Sequence, residues 1–120
     1  MSDEVVIILT AGFDDERASV AWSFANGGLN AGLTVTVFLT SNAVDWVRRG
    51  AAAHAHPNHF DPPIQEMIDS FLGRGGRILV CPPCAKLRAC EAEQLIDGIE
   101  LIGSKAVFER VKAGAETISF

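Results

Sequence analysis

The chain has 120 residues, enough for one domain with a single core and no covalent staples. An apolar fraction of 48% beside 21% charged residues is a globular composition and excludes a disordered chain. A formal net charge of −5, with no basic stripe interleaved with aromatics, argues against a nucleic-acid binder.

Val5-Val6-Ile7-Ile8-Leu9 follows the acidic Met1-Ser2-Asp3-Glu4. A signal peptide wants a positive start and a small-residue cleavage site, so the run is predicted to be a first strand. No apolar run reaches transmembrane length. The continuous apolar character predicts a strand covered on both faces. Thr10-Ala11-Gly12-Phe13 turns the chain, and Asp14 or Asp15 can cap a helix running to about Ala31. Ala18, Ala21, Trp22, Ala25 and Leu29 share one face of that helix, which Gly32 ends.

Thr34–Leu39, rich in β-branched residues, is the second predicted strand. Ser41 then caps a short helix with Val44 and Val47 inward, closing on Arg48-Arg49-Gly50. Residues 51–61 form a loop carrying His54, His56 and His59. Asp61-Pro62 opens a helix with the stripe Ile64, Met67, Ile68, Phe71 and Leu72. Arg77–Val80 is the third strand, Ile99–Ile102 the fourth and Thr117–Phe120 the fifth. A last helix, capped by Ser104, carries Val107, Phe108 and Val111. The alternation predicts an α/β fold of three layers, one domain over 1–120, with a mostly parallel five-stranded sheet. Trp22, Trp46 and Phe71 fall at helical spacing, as core or subunit-interface residues do.

Ligands in such sheets collect beyond the carboxyl ends of the strands. Three loops meet that description: Thr10–Phe13, Thr40–Asn42 and Cys81–Cys84. The first has one glycine, so no dinucleotide fingerprint is present and no cofactor is expected. The third is the most informative. Arg77-Ile78-Leu79-Val80 stops on Cys81-Pro82-Pro83-Cys84, and Pro83 can begin a helix. That places Cys81 before a helix start, with Arg74, Arg77, Lys86 and Arg88 near in sequence. A depressed pKa at Cys81 is the expectation. Three cysteines cannot all pair within one chain, which fits free thiols in a reducing compartment; a cytoplasmic protein is expected.

These motifs give the chain a resemblance to the DsrE/DsrF-like family of sulfur-relay proteins, which includes TusD-type sulfurtransferase subunits. It is carried by the Val-Ile-Ile-Leu-Thr-Ala-Gly opening, Gly32-Leu33-Thr34-Val35-Thr36-Val37-Phe38-Leu39 and Gly-Gly-Arg-Ile-Leu-Val-Cys-Pro-Pro-Cys at 75–84. Arg88 and the terminal strand ending in Phe120 complete it. The resemblance implies a trimer or hexamer and a persulfide carried on Cys81, with Cys84 matching a second cysteine of some members. Sulfur donor and acceptor proteins would be the partners. Arg88-Ala89-Cys90 departs from the arginine-glycine usual in the family.

The residues support a site of Cys81 and Cys84 as catalytic thiols, with Lys86 and Arg88 stabilising the thiolate. Gly12, Ser41 and Asn42 would border it. Three other readings stay open: small buried cysteines in an oligomeric binding module, a thioredoxin-like redox dithiol, and zinc held by the histidine loop with the cysteines. The histidine spacing matches no closed zinc pattern, so no metal is expected. Cys90 reads as a bystander, and Glu91, Glu93 and Asp97 as a solvated face.

Overall fold

The computed structural model describes residues 3–120. Five strands form one sheet in the order β4-β3-β2-β1-β5. They are β1 (Glu4–Leu9), β2 (Thr34–Leu39), β3 (Arg77–Val80), β4 (Ile99–Leu101) and β5 (Glu116–Ser119). Every neighbouring pair is parallel. Among the described residues no helix is long and apolar enough to cross a membrane.

The helices are α1 (Arg17–Asn30), α2 (Ile64–Gly73), α3 (Pro82–Leu87) and α4 (Ser104–Lys112), with a 3₁₀ segment over Ser41–Val47. Strand alternation divides the sheet's side chains between two cores. On one face Val5, Ile7, Leu9, Val35, Val37, Leu39, Ile78 and Val80 pack with Trp22 and Ala25 of α1 and Ile68 and Phe71 of α2. On the other, Val6, Phe38 and Leu79 meet Ala106 and Val107 of α4. Trp22, Trp46 and Phe71 are fully buried, so their periodic spacing reports core packing.

The strand positions expected from sequence agree with the structure to within a residue, and the helix starts differ for local reasons. α2 begins at Ile64 because Pro63 disfavours helical geometry at Pro62. Asp15 accepts the Arg17 amide at 2.9 Å, although Glu16 takes the cap position of α1. Ser41 caps nothing; it lies inside the 3₁₀ segment in left-handed backbone, φ 56°. Gly103, with φ −80° and ψ −178°, takes the cap position before Ser104.

Ala89 is the other non-glycine residue with positive φ among those described, at 51°. The turn after α3 therefore keeps the left-handed conformation that a glycine adopts freely, and alanine holds it under strain. Its amide bonds to Lys86 O at 3.0 Å, and the next amide, of Cys90, to Ala85 O at 2.9 Å, which closes the helix. Ala89 is exposed, so no lost packing opposes the relief. Ala89→Gly is expected to raise unfolding free energy by about 1 kcal/mol, read from urea transitions. Gly76 behaves oppositely: a Cβ there would lie 2.4 Å from the buried Phe71 ring. Gly76→Ala is expected to lower stability by about 1–3 kcal/mol in the same assay.

Candidate functional site: a dithiol at the carboxyl edge of the sheet

In the parallel register Leu9 pairs with Leu39 and Leu39 with Val80, so β1, β2 and β3 end level. The residues just beyond remain joined: Thr40 N donates to Leu9 O at 3.1 Å and Cys81 N to Leu39 O at 3.0 Å. The three loops expected to share one edge do so. Trp46 Nε1 donates to Ala11 O at 2.9 Å, which ties the 3₁₀ segment to the turn after β1. Gly12 sits against Asn42; a Cβ on Gly12 would be 3.0 Å from that of Asn42.

Cys81 and Cys84 are free and half-buried, one on each side of Pro82-Pro83. Thr40 Oγ1 lies 3.3 Å from Cys84 Sγ. A thiolate has no proton, so once Cys84 ionises the threonine hydroxyl can only donate to it. Arg88 is held over the same sulfur's residue. Its Nη2 donates to Asn42 Oδ1 at 2.7 Å and its Nη1 to Cys84 O at 3.1 Å. Arg48 Nη2 in turn donates to Arg88 O at 3.1 Å.

The two thiols are driven apart in acidity. Cys84 lies below the ordinary thiol value, chiefly through the Thr40 hydroxyl, with the Ser41 amide and the Arg88 charge in support against burial. Cys81 lies above it, chiefly because burial penalises its anion and the Cys84 thiol adds to that. The Cys84 amide and the Thr40 hydroxyl pull the other way without reversing it. Cys81 packs on the apolar cluster of Val6, Phe38 and Leu79, whereas Cys84 packs on the opposite core.

The depressed pKa expected at Cys81 is therefore corrected: the acidic member is Cys84. The expectation relied on a helix start, but Pro82 already opens α3, and it and Pro83 supply no amide protons to the first turn. The helix is also only six residues long. The basic cluster disperses too. Arg77 lies at the far end of β3 and is paired with Glu100 at 2.6 and 2.9 Å. Arg74 donates to Asn26 O. Lys86 is exposed and lines a hollow of about 370 Å³ with Pro82, Ala85, Cys90, Glu91 and Leu101; it is absent from the charges that shift either thiol.

Ser41 and Arg88 thus lie beside Cys84, Asn42 holds Arg88, and Gly12 packs against Asn42. Thr40 is the contact that residue-by-residue reading did not single out; its signal is a hydroxyl one place beyond the end of a neighbouring strand. Cys90 is 3% exposed, and burial pushes its thiol up. In the histidine loop His56 Nε2 is 2.9 Å from Asp61 O and its ring stacks on that of His59, centroids 5.2 Å apart. Among the described residues no three His, Cys, Asp or Glu side chains gather as a metal site. The larger hollows lie away from the dithiol: one of about 430 Å³ between α1 and α2, another of about 440 Å³ beside Phe24 and Ile118.

Comparison with known proteins agrees with this architecture. The pattern of the DsrE/DsrF-like family matches residues 3–120, and the chain belongs to that family. An uncharacterized protein of Methanopyrus kandleri is 30% identical over 115 residues, covering 96% of this chain and 91% of that protein. One from Methanocaldococcus jannaschii is also 30% identical, covering 96% of each. Among solved structures, the ychN protein from E. coli superposes with a TM-score of 0.80 over 100% of both chains at 21% identity. MTH1491 from Methanobacterium thermoautotrophicum, titled a protein of unknown function, gives 0.75 over 98% of both at 19%. At those identities the structures share the fold.

Iodoacetamide alkylation against pH reads the acidity difference directly. With Cys81→Ser, the midpoint at Cys84 is expected below the free-thiol value of about 8.5. With Cys84→Ser, the midpoint at Cys81 is expected above it, because burial of the anion outweighs the residue-84 amide and the Thr40 hydroxyl.

Proposed function

We propose that this protein is a sulfur carrier whose Cys81–Cys84 pair accepts sulfane sulfur, holds it as a cysteine persulfide and passes it to an acceptor thiol. The observation that carries the reading is the contact between Thr40 Oγ1 and Cys84 Sγ, beside an oriented Arg88, at an edge where both thiols remain partly exposed. Membership of a family generally linked to sulfur relay supports it. Inert core cysteines need neither a hydroxyl donor nor a guanidinium fixed by two hydrogen bonds.

Transfer between proteins requires a thiol that a partner's sulfur can reach, and a half-buried site at a sheet edge meets that need better than an enclosed cavity. Sulfur donor and acceptor proteins are the partners in this reading, which belongs to a reducing compartment such as the cytoplasm. A homotrimer or homohexamer is part of the same proposal. Apolar side chains left on the surface support self-association, among them Phe24 of α1, Phe108 and Val111 of α4 and Ile118 of β5. The competing reading is an oligomeric binding module with structural cysteines.

Incubation with inorganic polysulfide under anaerobic conditions, followed by intact mass, is expected to give a gain of one sulfur atom. The double variant Cys81→Ser with Cys84→Ser is expected to give none. A wild-type chain that gains nothing is the result that favours the binding module. Light scattering is expected to give a mass three or six times that of the chain, and a clean monomer removes the oligomer.

A further inference from the structure

The two cysteines differ in what surrounds them more than a symmetrical dithiol requires. We propose that Cys84 is the sulfur that attacks the donor and bears the persulfide, and that Cys81 is the resolving thiol that ends it. This division of labour rests on the carrier reading above and reverses the role that family resemblance assigns to Cys81.

The geometry around Cys84 comes from three separate elements. From the end of β2, Thr40 brings its hydroxyl to 3.3 Å from the sulfur. The next residue, Ser41, adopts φ 56°, a conformation that costs a non-glycine residue energy. From α3, Arg88 is locked between Asn42 Oδ1 and the carbonyl of Cys84 itself. Gly12 leaves the space in which Asn42 sits. Cys81 has a different setting: it packs against the apolar cluster of Val6, Phe38 and Leu79 on the α4 face, and burial there outweighs the Cys84 amide and the Thr40 hydroxyl that also reach it. Both sulfurs feel the Thr40 hydroxyl, but Cys84 alone has the Arg88 charge beside it and Cys81 alone lies against the α4-face core.

The chemistry follows in two balanced steps. In loading, the Cys84 thiolate attacks the terminal sulfur of a polysulfide of n sulfurs. A new S–S bond forms on Cys84, and the old bond's electron pair leaves with a polysulfide of n−1 sulfurs. Two negative charges leave on that fragment and one stays on the outer sulfur of Cys84. An acceptor thiolate can then take the outer sulfur and restore the Cys84 thiolate. Without an acceptor, the Cys81 sulfur attacks Cys84 Sγ instead. The Cys81–Cys84 disulfide forms, and the bond to the outer sulfur breaks with its electron pair on that sulfur. The Cys81 proton joins it, and hydrosulfide departs. Both cysteines are oxidised by one electron each while the sulfane sulfur is reduced by two. A dithiol reductant returns the pair to thiols.

A resolving thiol kept protonated suits a carrier, because the persulfide survives long enough to meet an acceptor. Pro82 and Pro83, each with φ locked, restrict the backbone of the turn that joins the two cysteines.

The test is intact mass and released sulfide after anaerobic polysulfide loading and removal of excess donor. The wild type is expected to gain one sulfur, then lose it with stoichiometric sulfide and formation of the internal disulfide. Cys81→Ser is expected to hold the added sulfur and release none. Cys84→Ser and Cys84→Ala are both expected to gain nothing while keeping a wild-type circular dichroism spectrum. Arg88→Gln is expected to slow loading several-fold more at pH 6 than at pH 9, whereas Arg88→Lys restores most of it; a purely structural arginine gives the same loss at both. Sulfur retained by Cys84→Ser and lost by Cys81→Ser overturns the assignment and leaves the carrier reading standing. A wild type that gains no sulfur at any time and forms no internal disulfide with sulfide release overturns both.

Discussion

Parallel, in-register pairing of three adjacent strands is the constraint from which the site follows. Because β1, β2 and β3 run the same way, every return path is a crossover, and each strand's outgoing loop emerges at one edge. The pairs Leu9 with Leu39 and Leu39 with Val80 make the three exits level. A two-residue slip of β2 against β3 displaces Thr40 by about 6.6 Å along the strand and takes its hydroxyl out of reach of Cys84. Register is fixed in turn by burial: alternate residues of β2 face two different cores, and both are closed by helices.

Strain collects where this edge meets α3. Ser41 and Ala89 hold left-handed backbone on either side of the dithiol, each at a cost of about 1–2 kcal/mol. The surroundings over-determine both. Trp46, buried beside Val44 and Val47, donates to Ala11 and anchors the segment that Ser41 begins. At the other side, Arg48 holds the carbonyl of Arg88 next to Ala89, and Cys90 is buried immediately after it. The same segment, from Asn42 to Arg48, thus holds both the backbone carbonyl and the guanidinium of Arg88.

Much of the fold was legible because its signals are local. Val5–Leu9 and Thr34–Leu39 are apolar, β-branched runs with clear ends, and the α2 stripe repeats at helical spacing. The convergence of the three loops was legible as well, since it follows from strand alternation alone. What failed was the electrostatics of the thiols. Nearness along the chain suggested that Arg74, Arg77 and Lys86 support Cys81, yet a four-residue strand carries Arg77 about 13 Å from the cysteine edge. The deciding groups come from β2, more than forty residues away in sequence, and depend on register and on a positive φ at Ser41. Serine carries no advance sign of that conformation, as glycine or asparagine does.

The departure at Ala89 carries the same lesson from the other side. Alanine stands where the family usually has glycine, and the turn is set by what it connects. Cys90 must reach the buried position beside Ala85, and the Arg88 carbonyl must meet Arg48, so the bend is left-handed and alanine bears the strain. An apolar neighbourhood for one sulfur and a polar one for the other has a comparable origin. Pro82 and Pro83 turn the chain across the end of β3, so Cys81 stays on the α4 side of the sheet while Cys84 reaches the side where β2 ends. The asymmetry of the pair is therefore rooted in the sheet's two faces, with the turn placing the sulfurs and Arg88 adding its charge on one side only.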